Sequence, residues 1–186
     1  MLGNNLRSAD DFLPAITVYE ENISLISGVD EVWTELAAGN HRFLPGINVE
    51  WLTVEPHGVG TLRIMNFGPV HLRSRYFAWD ETNHYKAFYL ENPPVGVREL
   101  VEHFRVTPNG SGSIFSYRLA VIPTSVIRPL IPALSAYVTF VMRNWHVRFI
   151  KRRFGASEAR HQMDIAPAQT RSSVSRHGKW RRSHDS

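Results

Sequence analysis

The spacing of apolar positions changes twice along this chain. In "AITVYEENISLI", residues 15–26, Thr17, Tyr19, Ile23 and Leu25 share one parity, the period of a half-buried strand. In the next stretch the period lengthens to that of a helix: Val29, Val32, Trp33 and Leu36 fall at i, i+3, i+4 and i+7. Ser27 and Asp30 stand three apart in the manner of a capping box, so Ser27 is the expected N-cap. Gly39 follows "ELAA", where a helix end favours a residue free to adopt positive φ. A second helical turn, "NHRFL" (40–44), is ended by Pro45-Gly46. A helix of about three turns is marginal in water, so its apolar face must close against another part of the chain.

From residue 48 the period returns to 2. Strands are expected over 48–55, 61–67, 70–79, 84–91, 97–107 and 113–122, divided by "PHGVG", "GP", "DETN", "NPP" and "PNGSG". Asn109-Gly110 is a hairpin signal. Six strands joined by short turns argue an antiparallel meander. The last element is a helix. Pro129 and Pro132 suit its first turn, and Leu130, Leu134, Tyr137, Val138, Val141, Trp145 and Phe149 form a stripe. Roughly 25 residues would run about 37 Å, with Lys151, Arg152 and Arg153 at the negative pole of the helix dipole.

Composition adds limits. The chain has 186 residues and is 43% hydrophobic, enough for one domain with a core. It has no cysteine, which excludes disulfides, thiolate metal sites and cysteine nucleophiles and fits a reducing, cytoplasmic setting. The opening "MLGNNLRSADDF" lacks the basic and apolar regions of a signal peptide. The run "PLIPALSAYVTFVM" is too short to span a bilayer. Residues 151–186 hold nine Lys and Arg against three acidic residues, a net +6; the first 150 residues carry twelve against fourteen, a net −2. The expected organisation is a flexible N-terminus (1–13), one domain (14–154) and a disordered basic tail (155–186).

Candidate chemistry is sparse. The histidines show no compact ligand spacing, so no metal and no cofactor is expected. His103 and His146 alone fall on core elements where they could converge. No G-x-S-x-G elbow or phosphate-binding glycine loop is present. Aromatic residues are the clearer signal. Trp33, Phe43, Trp51, Tyr76, Phe88, Phe104, Phe115, Tyr117, Tyr137 and Trp145, with Val141, fall on candidate inward positions and would line a pocket for a greasy molecule or fill a core. Glu102 shares parity with Leu100 and Phe104 on the expected inner face, where a carboxylate must be paired, bound to something polar, or neutralised. Glu102, with His103 and Tyr117, is therefore the weak catalytic candidate. "KRRF" and "KWRR" suit phosphate attraction, but the net negative domain argues against nucleic acid; weak contact of the tail with an anionic membrane surface fits better.

Several passages resemble the START/Bet v 1 (SRPBCC) superfamily, and within it the polyketide cyclase/dehydrase-like group. "VDEVWTEL" resembles the family's first-helix opening. "HRFLPGI" with "VEWLTVEPHGVGTLRIM" resembles its W-x-P-x-V…G-x-G-x-x-R passage. "RYFAWDETNHYKAFYL" and "NPPVGVRELVEHFRVTPNGSGSIFSYRLAV" resemble its later strands. The resemblance implies an α+β helix-grip fold: a curved antiparallel sheet of about seven strands wrapped around a long C-terminal helix, with two short helices after the first strand. It also implies a cavity between sheet and helix. The expected function is binding of a hydrophobic small molecule (lipid, polyketide or isoprenoid-like) as carrier or sensor. The alternatives are a cyclase, aromatase or dehydratase-type enzyme using the same cavity, and an interaction protein with a nearly solid domain.

Overall fold

A computed structural model describes residues 7–37 and 46–156. The "NHRFL" turn, Phe43 and the tail from residue 157 lie outside the described residues. Seven strands make one antiparallel sheet in the order β1-β7-β6-β5-β4-β3-β2. They are β1 (Ile16–Leu25), β2 (Ile47–Trp51), β3 (Leu62–Phe67), β4 (Val70–Asp80), β5 (Tyr85–Leu90), β6 (Val97–Asn109) and β7 (Gly112–Pro123). Helix α1 (Val29–Ala37) follows β1, and α2 (Ile131–Asn144) and α3 (His146–Phe154) end the described chain. The meander is local because its turns are short: Phe67 pairs with Val70 across Gly68-Pro69, and Asn109 pairs with Gly112 across Gly110-Ser111. Gly110 has φ +61°, which explains a glycine there. Register shifts at Thr17/Tyr19, Tyr76/Ala78 and Val97/Glu99 bend the sheet.

The sheet has two unequal apolar faces. On the concave face Val32, Trp33 and Leu36 of α1 join Ile23, Leu25, Phe88, Phe104, Val106 and Phe115 in the main core. The short helix thus closes on β6 and β7, and tertiary burial stabilises what its length cannot. Its first turn begins one residue later than the Ser27 reading, since Val32 N–H donates to Gly28 O. On the convex face Phe77, Ala87, Tyr89 and Val101 form a smaller cluster capped by Phe12.

That cap comes from the segment ahead of β1. Ala9–Phe12 forms a 3₁₀ turn opened by a Ser8–Asp11 capping box. The Phe12 ring lies 4.8 Å from Phe77 and 5.5 Å from Tyr89, and Arg7 lies over the Phe12 and Tyr89 rings and pairs with Glu99. A single aromatic ring after Asp10 and Asp11 gives no periodicity, but it covers an apolar patch that water would otherwise meet.

The C-terminal helix is also shorter than its stripe suggests. It breaks at Trp145 (φ −118°, ψ −71°) into α2 and α3. The two parts are anchored differently. Among strands, α2 rests mainly on β1, where Ser135 Oγ donates to Val18 O at 2.6 Å and Arg143 pairs with Glu21 at 2.9 Å. α3 buries Ile150 and Phe154, and its end is stitched to β1 by Ile26 N–H to Gly155 O and Ser27 N–H to Phe154 O. Arg153 reaches across to Glu35 at 2.7 Å. Phe154→Ala should therefore cost about 3–5 kcal/mol, read from urea unfolding, while the fold is retained.

Candidate functional site

The tilt of α2 toward β1 leaves its other side standing off the sheet. Between α2 and the concave face lies a cavity of about 270 Å³. Its walls are mostly apolar: Met65, Phe67, Leu72, Leu90, Leu100, Phe104 and Leu119 from the sheet, and Val138, Val141 and Met142 from α2. Phe67 and Trp145, whose rings are 6.4 Å apart, stand together at one part of the wall. Besides Tyr137 and Trp145, polar groups are few: Arg63, Glu102, Tyr117 and His146.

These four come from three strands and the helix break. Arg63 sits on β3 between Thr61 and Met65, both buried on the concave side. Its own side chain is buried, with the guanidinium carbon 4.3 Å from the Phe88 ring centre and 5.3 Å from that of Tyr76. Glu102, on β6 between Leu100 and Phe104, keeps some exposed surface only because the hollow lies in front of it. Its Oε2 accepts a hydrogen bond from Tyr117 Oη at 3.0 Å. Burial raises the Glu102 carboxyl above the ordinary glutamate value, and the Arg63 charge, the Tyr117 hydrogen bond and Lys86 act against that rise. Burial, then the neighbouring Glu102 charge, pushes the Tyr117 hydroxyl well above the usual tyrosine range. Tyr117 therefore stays a hydrogen-bond donor across any ordinary pH.

His146 opens α3, its ring 5.3 Å from that of Tyr117. Burial lowers it to about 4, so it is neutral at neutral pH. Its Nδ1 is buried and has no hydrogen-bond partner among the described residues. A buried nitrogen in this condition is costly unless a bound molecule or water meets it.

A second buried cation lies behind the cavity wall. Lys86, fully buried, donates to Leu36 O at the end of α1, with its ammonium 5.5 Å from the ring centres of Trp79 and Phe104. Burial and the Arg63 charge hold its amine well below the usual lysine range. Lys86 supports the end of α1 and does not line the cavity.

The structure distributes the expected site residues among several places. Phe104, Tyr117, Tyr137, Val141 and Trp145 line the cavity, and Glu102 and Tyr117 meet there. Tyr76, Phe88 and Phe115 are buried in the adjoining core, and Trp51 packs against it. Trp33 faces a separate, open recess, where its indole and that of Trp79 both donate to the Glu81 carboxylate. His103 points to the convex side, 2.9 Å from Tyr85 Oη and beside Phe77, because it has the opposite parity to Glu102. It therefore cannot converge with His146. No group of three or more His, Asp or Glu among the described residues could hold a metal ion. Arg63, Met65, Leu119 and His146 were not among the expected lining residues. Arg63 was detectable by the argument that singled out Glu102, since it shares parity with Thr61 and Met65.

No protein-family model matches the sequence, and no curated protein matches it. Solved structures do. The di-domain ARO/CYC StfQ from the steffimycin biosynthetic pathway is 14% identical with a TM-score of 0.59, over 80% of this chain and 53% of that one, so this chain spans about half of its length. Ginseng major latex-like protein 151 from Panax ginseng is 11% identical with a TM-score of 0.52, over 75% of this chain and 97% of that one. Ara h 8.0201 is 12% identical with a TM-score of 0.51, over 67% and 97%. At such identities the likeness is one of fold. With its seven-stranded antiparallel sheet curved around a C-terminal helix, the chain has the helix-grip fold that it shares with these structures.

Proposed function

We propose that the protein binds a hydrophobic small molecule of lipid, polyketide or isoprenoid-like chemistry in the cavity, as a carrier or sensor. The observation that carries this reading is the apolar hollow with one polar group of residues, Glu102–Tyr117 and the open Nδ1 of His146. At about 270 Å³ it is slightly smaller than the usual small-molecule sites, which run from roughly 300 to 1,000 Å³. Apolar walls supply affinity without direction. The polar group sets orientation, and a hydroxyl or carbonyl on the ligand could meet both His146 and the Glu102–Tyr117 pair.

A specific observation favours a second reading, an enzyme of the cyclase, aromatase or dehydratase type. Two polar groups converge within hydrogen-bond reach inside the cavity, one a carboxyl raised by burial and the other a tyrosine that keeps its proton. Such a pair can take a proton from an activated carbon and donate to a carbonyl oxygen, while the walls hold the chain in one fold. The likeness to an ARO/CYC protein supports this at the level of fold.

Mass spectrometry of protein purified under native conditions tests the first reading. A bound small molecule, or saturable binding of a hydrophobic dye, is expected; absence of both would overturn it. Val141→Trp, which fills the hollow, should weaken dye binding at least about tenfold with no loss of thermal stability. For the second reading, Glu102→Gln should retain dye binding yet lower turnover of a poly-β-ketone by about 10²–10⁴. If the unaltered protein turns over no such compound, the enzyme reading fails and the carrier stands.

The buried groups also set a pH dependence. His146 is lowered in the folded state, so the stability it contributes is complete above 6.5 and is lost as pH falls toward about 4. The loss is on the order of 3 kcal/mol. Glu102 is raised, so its contribution has the opposite sign: present at low pH and lost as pH rises above 4.5. In melting curves against pH, His146→Leu should flatten the acid limb without abolishing it, since His103 is also lowered to about 4. Glu102→Gln should steepen it.

A further inference from the structure

We propose that the outward face of α2 docks on an anionic lipid surface. No residue from Pro129 to Met142 is charged, so this helix is apolar on both sides. One side faces the cavity through Val138, Val141 and Met142. The other carries Ala133, Tyr137 and Phe140, which with Leu130 at the N-cap stand at i, i+3, i+7 and i+10 on a single arc. Leu130 is 60% exposed, Tyr137 66% and Phe140 67%. The solvent side of a surface helix is ordinarily polar, so this face is built for something other than water.

Charge selects the occupant. Residues 128–156 contain six basic side chains, Arg128, Arg143, Arg148, Lys151, Arg152 and Arg153, and no acidic one, while the preceding 127 residues are net negative. Arg128, Arg148, Lys151 and Arg152 are exposed. A second copy seated on the same face would set this positive arm against its own likeness, which repels. An anionic bilayer complements it, taking the aromatic and aliphatic side chains into its headgroup region and the basic ones at its surface. No helix among the described residues is long and apolar enough to cross a membrane. At 14 residues α2 is about 21 Å long against a hydrocarbon core of roughly 30 Å, so it lies in the plane of the surface.

Tyr137 belongs to both faces: it lines the cavity and is exposed on the docking arc. The docking surface therefore adjoins the hollow, and an apolar molecule could pass between bilayer and cavity with little exposure to water. The docking itself goes beyond the cavity reading and does not depend on it.

The test is flotation of the full chain with vesicles of phosphatidylcholine alone and of phosphatidylcholine with about one third phosphatidylserine. The unaltered chain is expected to float with the second kind and not the first, and to be released by high salt. Leu130→Ser/Phe140→Ser, two exposed positions outside the cavity lining, should bind about tenfold more weakly at an unchanged melting temperature. Arg148→Glu/Arg152→Glu should do the same, and Phe140→Trp should retain binding. Val141→Trp should float normally, so failure of the cavity reading leaves this result standing. Three results would overturn the proposal: no flotation of the unaltered chain, undiminished flotation of Leu130→Ser/Phe140→Ser, or a dimer in light scattering that this double substitution dissociates.

Discussion

A carboxylate on the inner face of a sheet has to be compensated, and much of the interior is arranged around that requirement. Glu102 is flanked along its strand by Leu100 and Phe104 and opposed across the sheet by Phe88 and Leu119, none of which can answer its charge. Compensation comes from Tyr117, which donates to it, and from Arg63, whose field acts on it from β3. Arg63 is in turn buried, and its guanidinium rests on the faces of Phe88 and Tyr76, which stabilise a cation stripped of water. Removing Arg63 would take away the largest influence that offsets the burial of the Glu102 carboxyl.

The same region explains why the hollow lies where it does. Large rings fill the concave face toward α1, where Trp33, Tyr76, Trp79 and Phe104 surround Lys86. Toward α2 the rings of Phe67, Phe104 and Tyr117 are interspersed with Met65, Leu72, Leu100 and Leu119, which reach less far. Because α2 leans on β1, these shorter side chains face open space. A polar centre at the border between packed rings and hollow is the arrangement that lets a bound molecule be oriented while the fold stays anchored elsewhere.

Much of this was legible from residue spacing. The six meander strands were expected within a few residues of their ends, because alternation, Gly-Pro and Asn-Gly turns all agree there. The face of α1 was clear for the same reason. What escaped has identifiable causes. The helix break at Trp145 lies in an unbroken apolar stripe with no proline or glycine to mark it. Phe12 is a lone ring among acidic residues, and its partners are distant in sequence. In the site, Glu102 and Tyr117 could be placed by parity, and the same argument reaches Arg63, whereas Lys86 lies on a strand buried on both faces, where parity does not separate inside from outside. That it points inward depends on the register of β5 against its neighbours. His103 and Glu102, adjacent in the chain, had to take opposite faces, and no single residue type could show which.

The interruption at Trp145 has a consequence for access. α3 holds three buried residues, His146, Ile150 and Phe154, whereas α2 holds none. The two segments therefore differ in how readily they detach. Backbone amides of α2 should exchange with solvent through local opening, and those of α3 only through disruption of the whole domain. The first segment can therefore part from the sheet at less cost in buried contact than the second, which stays with the core.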